Sequence, residues 1–171
     1  MTAYVALVRA VNVTGTGKLP KEDLKAMGEA CGFDQARTFI NSGNLLFTSD
    51  LAESTVKQRV EERLADYFGK PVPAFVRNAK EMRAVADKNP FDEAMPNQVM
   101  AYFIDETPVK AMIDEARDVR DERLALGPRV IYICYGGGIA GSKLKMPILK
   151  QGTARNMNSV AKIADLLAGM E

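Results

Sequence analysis

Histidine is absent from all 171 residues, and that absence removes more chemistry than any other feature of the composition. Ser-His-Asp and Cys-His catalysis, imidazole proton transfer and His-ligated zinc all require it. Cysteine is scarce as well. Cys31 and Cys134 are too few for a Cys-only zinc site. Cys31 closes a helical pattern and Cys134 lies in a β-like apolar run, so both are read as small core residues rather than nucleophiles or a disulfide. No metal or cofactor is assigned, and catalysis would have to rest on carboxylates, Lys, Tyr or a bound cofactor. Charge of one sign is missing too: 23 Lys plus Arg stand against 22 Asp plus Glu. No global excess therefore points to nucleic acid or anionic lipid. No run approaches the ~20 apolar residues of a membrane span, and Met1 to Val11 lack the basic start and cleavage site of a signal peptide. The expectation is a cytoplasmic protein with no membrane partner.

What is present is ample apolar content, 47% of the chain, enough for one domain or two small halves. The most informative stretch is Thr38-Phe39-Ile40-Asn41-Ser42-Gly43-Asn44-Leu45-Leu46-Phe47. Two apolar runs flank Ser42-Gly43, a pair suited to the positive φ of a two-residue turn, which predicts a hairpin with strands near 35–41 and 44–48. Before it, Tyr4 to Val11 reads as a central strand apolar on both faces. A polar loop, residues 12–18, then leads to a helix from Pro20 that Gly32 stops. After the hairpin, Asp50 and Glu53 predict a helix start, and Val56, Val60, Leu64 and Phe68 recur at i+4 up to Gly69. Residues 71–77, with Pro71 and Pro73, read as an edge strand.

Strand, helix, two strands, helix, strand is the ferredoxin-like βαββαβ order. Asn78 with Glu81 starts a third helix, and the pattern restarts after Asn89 to Asn97. Next come a strand at 98–104 and a helix from Thr107-Pro108 through Ala116. A second hairpin spans 123–126 and 129–135, helical turns lie around Lys143 to Lys150, and a final helix occupies 158–168. The predicted class is α+β. Two ferredoxin-like halves, 1–78 and 98–171, are joined by a connecting helix and loop at 79–97, and the C-terminal helix closes the second half. Element order alone supports a duplication; no residue-level repeat does.

In such a sheet the first and second strands run parallel with the third between them. The 12–18 loop and the 41–44 hairpin therefore leave the same sheet edge. The first 21 residues contain Arg9, Lys18 and Lys21 but no acid, and Thr38 to Thr48 contain none either. Gly136 to Ala164 carry five cations, Lys143, Lys145, Lys150, Arg155 and Lys162, again without an acid, whereas 101–135 carry seven acids against five bases. Most charge runs are solvated faces. This one opens on Gly136-Gly137-Gly138-Ile139-Ala140-Gly141-Ser142-Lys143, a Gly-rich turn expected to enter a helix and expose N–H groups to an anion. Gly136 and Gly141 have phosphate-loop spacing, but Ser142-Lys143 reverses the required Lys-Ser/Thr pair, which rejects a nucleoside triphosphatase. Gly43 to Phe47 lack the stacking aromatics of RNA-recognition sheets.

Four segments resemble a known family. Tyr4 to Val13 and the loop after it are similar to ALLRGINVGG, and Arg37 to Asn44 to RTYINSGNV. Asn89-Pro90-Phe91 matches NPF, and Gly152 to Val160 are similar to TTRNWNTV. The chain on these motifs is identified as a member of the domain of unknown function 1697 family of bacterial proteins. The resemblance covers essentially the whole chain and implies two ferredoxin-like halves, with no established activity, cofactor or catalytic residue. Ala10 stands where the family has Gly, and Met157 where it has Trp.

The first functional expectation is binding of a phosphate-bearing or other anionic small molecule, such as a nucleotide. One wall would be Arg9, Asn12, Lys18, Asn41, Ser42, Gly43 and Asn44, and the other Lys143, Arg155 and Asn156. Arg offers a bidentate donor, Lys a point charge, and Asn a donor-acceptor pair. Arg155 is expected to point into a cleft with Asn12 and the hairpin, because a cation at a helix start caps nothing. The alternative is a nucleic-acid or protein interaction module using the basic C-terminal surface. An enzyme is disfavoured because the acid-poor loops offer no general base, although Asp50, Asp105 or a Tyr could supply one.

Overall fold

The computed structural model describes residues 1–9, 19–39 and 43–171. It contains two four-stranded antiparallel sheets built in the same way. The first comprises β1 (Thr2–Val8), β2 (Asp34–Thr38), β3 (Asn44–Ser49) and β4 (Ala74–Asn78), with helices α1 (Lys21–Ala30) and α2 (Glu53–Phe68). Its strand order is β2-β3-β1-β4. β1 pairs antiparallel with both β3 and β4, so β1 and β2 run parallel with β3 between them, as the element order requires. β1 is central, buried from Ala3 to Val8.

The second sheet repeats this plan. Helix α3 (Ala79–Asp87) precedes β5 (Val99–Phe103), short helix α4 (Lys110–Asp114), β6 (Arg123–Gly127), β7 (Val130–Cys134), β8 (Thr153–Asn156) and helix α5 (Met157–Ala168). The order β6-β7-β5-β8 puts β5 where β1 stands in the first sheet. The two first strands thus hold equivalent central places, as a duplication predicts.

Each sheet buries its two faces differently, and the period-two alternation of the strands separates them. In the first sheet Tyr4, Ala6, Val8, Leu45, Phe47 and Val76 pack against Leu24, Val56, Val60 and Leu64 of α1 and α2. The opposite face carries Ala3, Val5, Leu7, Leu46, Phe75 and Arg77, which are buried as well. In the second sheet Ile104, Ile131, Ile133 and Tyr135 form one core cluster with Met146 and Ile148.

The compact units do not follow the sequence boundaries. Residues 1–80 with 163–171 form one unit and 81–162 the other. The segment expected to connect the halves therefore belongs to the second unit from residue 81 onward. Two contacts show why: the Tyr132 hydroxyl donates to the Val85 carbonyl at 2.6 Å, and Arg129 pairs with Glu81 at 2.9 Å. The chain end joins the first unit, where the Ala3 N–H donates to a Glu171 carboxylate oxygen at 3.4 Å.

Several local expectations need correction. Asp50 does not cap α2: Ala52 occupies the N-cap position with no side-chain bond, and Asp50 lies 3.6 Å from the N-terminal ammonium. The turns expected around Lys143 to Lys150 reduce to one 3-10 turn at Pro147–Gln151. Helix α4 ends at Asp114, short of the expected Ala116, and Arg117 just beyond it bridges Lys145. Strand β8 was not anticipated. Its side chains alternate buried and half-buried, and only the ladder offered by β5 makes it a strand. Both cysteines are buried and free.

That fourth strand reveals the residue-level repeat missing from the sequence pattern. Arg77-Asn78 ends β4 just before α3, and Arg155-Asn156 ends β8 just before α5. Arg77 stands opposite Val5 on the central strand, and Arg155 opposite Ala101. Each guanidinium Nη1 donates to the carbonyl of its preceding residue, Val76 at 2.9 Å and Ala154 at 2.8 Å.

Candidate functional site

Among the described residues, the end of β1 and the start of β3 lie side by side at one end of the first sheet. Leu7 stands opposite Asn44 in the β1–β3 register, and the Val8 N–H donates to the Gly43 carbonyl at 2.8 Å. The Arg9 N–H donates to the Pro73 carbonyl at 3.1 Å, so the start of β4 arrives there too. Asn12, Lys18, Asn41 and Ser42 lie outside the described residues. Arg9 is half-buried and forms no ion pair with a described residue.

Gly43 has φ 77°, the left-handed backbone that the turn chemistry requires. Among the described residues, the β2–β3 ladder continues past Thr38 with the Phe39 N–H donating to the Asn44 carbonyl at 3.2 Å; residues 40–42 of the expected turn lie outside the described residues. Gly43→Val is expected to cost about 1–2 kcal/mol through backbone strain. A melting midpoint equal to that of the parent protein would contradict this.

Asn44 has a structural task. It is fully buried, and its Nδ2 donates to the Phe39 carbonyl at 2.9 Å. The side-chain amide thereby adds a second tie across the mouth of the hairpin. Asn156 is likewise occupied: its Oδ1 accepts from the Ser159 N–H at 2.9 Å, the third residue of α5, which is N-cap geometry. Arg155 is 7% exposed and its Nη1 donates to Thr153 Oγ1 and the Ala154 carbonyl, both at 2.8 Å. Burial lowers its pKa to about 10. These bonds hold the guanidinium along its own strand, on one hydroxyl and one carbonyl. Asn12 and Asn41, which it was expected to join, lie outside the described residues.

The Gly-rich turn does not enter a helix. Beyond Ser142 the chain runs extended to Met146, so no helix N-terminus faces the glycines. Acids crowd the turn instead. Ser142 Oγ donates to Glu122 at 2.8 Å, and a Cβ added at Gly137 would lie 3.2 Å from an Asp121 carboxylate oxygen. Lys143 is exposed beside them.

The candidate general bases are engaged elsewhere. Asp105 accepts from Arg129 at 3.2 Å. Burial pushes the phenols of Tyr132 and Tyr135 well above the ordinary tyrosine range, and Tyr135 also shares a 2.7 Å hydroxyl contact with Tyr102. Both phenols stay protonated near neutral pH and serve as hydrogen-bonding groups there. Among the described residues no cluster of three acids or thiols is placed to hold a metal, and no helix is long and apolar enough to cross a membrane.

One open cavity was not anticipated. It lies in the second unit, has a volume of about 580 Å³ and is lined by Glu115, Arg117, Leu144, Lys145, Met146, Pro147, Leu149 and Lys150. Lys145 and Lys150 belong to the acid-free run recognised in the sequence. Arg117 carried no signal of its own, because only the bridge to Lys145 brings it there.

The chain matches the model of a family described as "Protein of unknown function (DUF1697)" over residues 1–132. It is similar over its length to the solved structure of a conserved bacterial protein from Streptococcus pneumoniae. That match has a TM-score of 0.81 at 23% identity and covers 97% of this chain and 98% of the other. No curated protein matches it. At that identity the structural likeness speaks for the fold.

Proposed function

The chain belongs to the DUF1697 family, and from that premise we propose that it binds a phosphate-bearing or other anionic small molecule at the acid-free end of its first sheet. The observation that carries this reading is the Val8 N–H to Gly43 carbonyl bond of 2.8 Å, with Leu7 opposite Asn44. It ties together the two segments, 1–21 and 38–48, that contain cations and amides but no acid. Arg9 is the described cation at that end, and its planar guanidinium suits a bidentate anion contact. Asn44 and Gly43 hold the frame rather than the ligand.

The test is a thermal-shift screen of nucleotides and sugar phosphates with a short oligonucleotide as a separate arm. A ligand that binds the folded state raises the midpoint as RT ln(1 + [L]/Kd). A hit should lose affinity in Arg9→Ala and in Asn41→Ala at unchanged fold. Retention of affinity in both would refute the site. Binding of the oligonucleotide alone would transfer the reading to a nucleic-acid module on the basic C-terminal surface.

A further inference from the structure

The cavity of the second unit contains a charge arrangement that packing alone does not account for. Arg117 and Lys145 form an isolated antiparallel bridge: Arg117 N–H donates to the Lys145 carbonyl at 2.8 Å, and Lys145 N–H to the Arg117 carbonyl at 3.0 Å. Residues that exchange both bonds stand directly opposite on the same face, with Cβ atoms about 5 Å apart, and like charges there are destabilising. Lys150 adds a third cation to the same cavity. All three are exposed, and none forms an ion pair with a described residue. Glu115 is the one acid in the lining.

The floor has the opposite character. Leu144, Met146, Pro147 and Leu149 line it; Met146 belongs to the apolar core of this unit, and the half-buried Leu144 and Leu149 pack against that core. A volume of about 580 Å³ lies within the roughly 300–1,000 Å³ typical of small-molecule sites. We propose that this cavity, separate from the first-sheet site, binds a small organic anion with an apolar body. Its anionic head would lie between Arg117 and Lys145 within reach of Lys150, relieving the like-charge pair. Its apolar part would cover the Leu144 to Leu149 floor, where burial is favourable. Bare phosphate would use only half of this surface.

Titration calorimetry of the full chain with naphthalene-1-sulfonate tests the proposal, with inorganic sulfate and 1-naphthol as partial probes. The sulfonate is expected to bind, and each partial probe to bind at least about tenfold more weakly, since each lacks half of the recognition. The double variant Arg117→Gln, Lys145→Gln should weaken sulfonate binding by about tenfold or more. Its melting midpoint should be unchanged or raised, because a repulsion is removed. The sulfonate binding lost in the double variant should persist in Arg9→Ala, which separates this site from the first. The proposal is overturned if the sulfonate does not bind, if sulfate or naphthol equals it, or if the double variant binds like the parent. A lowered midpoint in that variant also overturns it, by giving the cation pair a structural role.

Discussion

Phe47→Ala is expected to lower folding stability by about 3–5 kcal/mol, the range for removing a large buried aromatic. Phe47 is fully buried on β3, the second strand of the first hairpin, which lies between β2 and β1. Its ring stacks on Phe33 at a centroid distance of 4.0 Å and an interplanar angle of 9°, and lies 5.9 Å from Tyr4. Tyr4 is also its partner in the β1–β3 register, so the side chain joins two strands to the segment following α1. Alanine would leave a cavity that neither strand can close without giving up ladder bonds. Phe47→Leu fills much of that volume and should cost distinctly less, about 1 kcal/mol. Chemical denaturation followed by circular dichroism reads both. Equal midpoints for Ala and the parent protein would remove Phe47 from the core.

Gly152→Ala is expected to cost about 2–3 kcal/mol through overpacking. The backbone there is extended, with φ −120°, so conformational freedom is not the reason for glycine. Close approach is. An added Cβ would sit 2.5 Å from the Phe103 carbonyl oxygen and 3.0 Å from Ile104 Cγ2. Phe103 cannot retreat, because it is paired with Thr153 on one side and Val130 on the other. The strain would fall on β8 and on the Arg155-Asn156 pair that ends it. Gly141→Ala is the control: no atom lies within 4 Å of its added Cβ, and it should stay within about 0.5 kcal/mol of the parent. Equal melting midpoints for the two variants would mean that β8 shifts freely against β5.

The elements legible in the sequence were those whose signal is local. Val56, Val60 and Leu64 on α2 recur at helical spacing, and the same three residues are the buried ones of that helix. Gly69 ends α2 in the left-handed conformation, φ 70°, as its place after Phe68 predicts. Gly43 likewise announced its positive φ. The candidate site was legible only as a set of acid-free segments. Sequence charge said nothing of which amides were already committed. Asn44 and Asn156 each carry a bond that completes a hairpin mouth or a helix start, and such a bond depends on backbone geometry rather than residue type.

The sequence by itself determined two α+β halves with the first strand of each at the centre: in the first half because a run apolar on both faces must be covered on both sides, and in the second because the element order repeats. It also determined that histidine chemistry is excluded and that both cysteines are core residues. The tertiary structure alone decided four matters: that Thr153 to Asn156 form a strand, that Arg77 and Arg155 are repeats of one position, that residue 81 onward joins the second unit, and that Arg117 faces Lys145. The physical reason is distance along the chain. The β8 ladder, the matching places of Arg77 and Arg155 and the Arg117–Lys145 bridge rest on backbone hydrogen bonds that any residue except proline can donate. Residue 81 onward is held by Tyr132 and Arg129 from 47 and 48 residues away, so no local side-chain pattern encodes any of them.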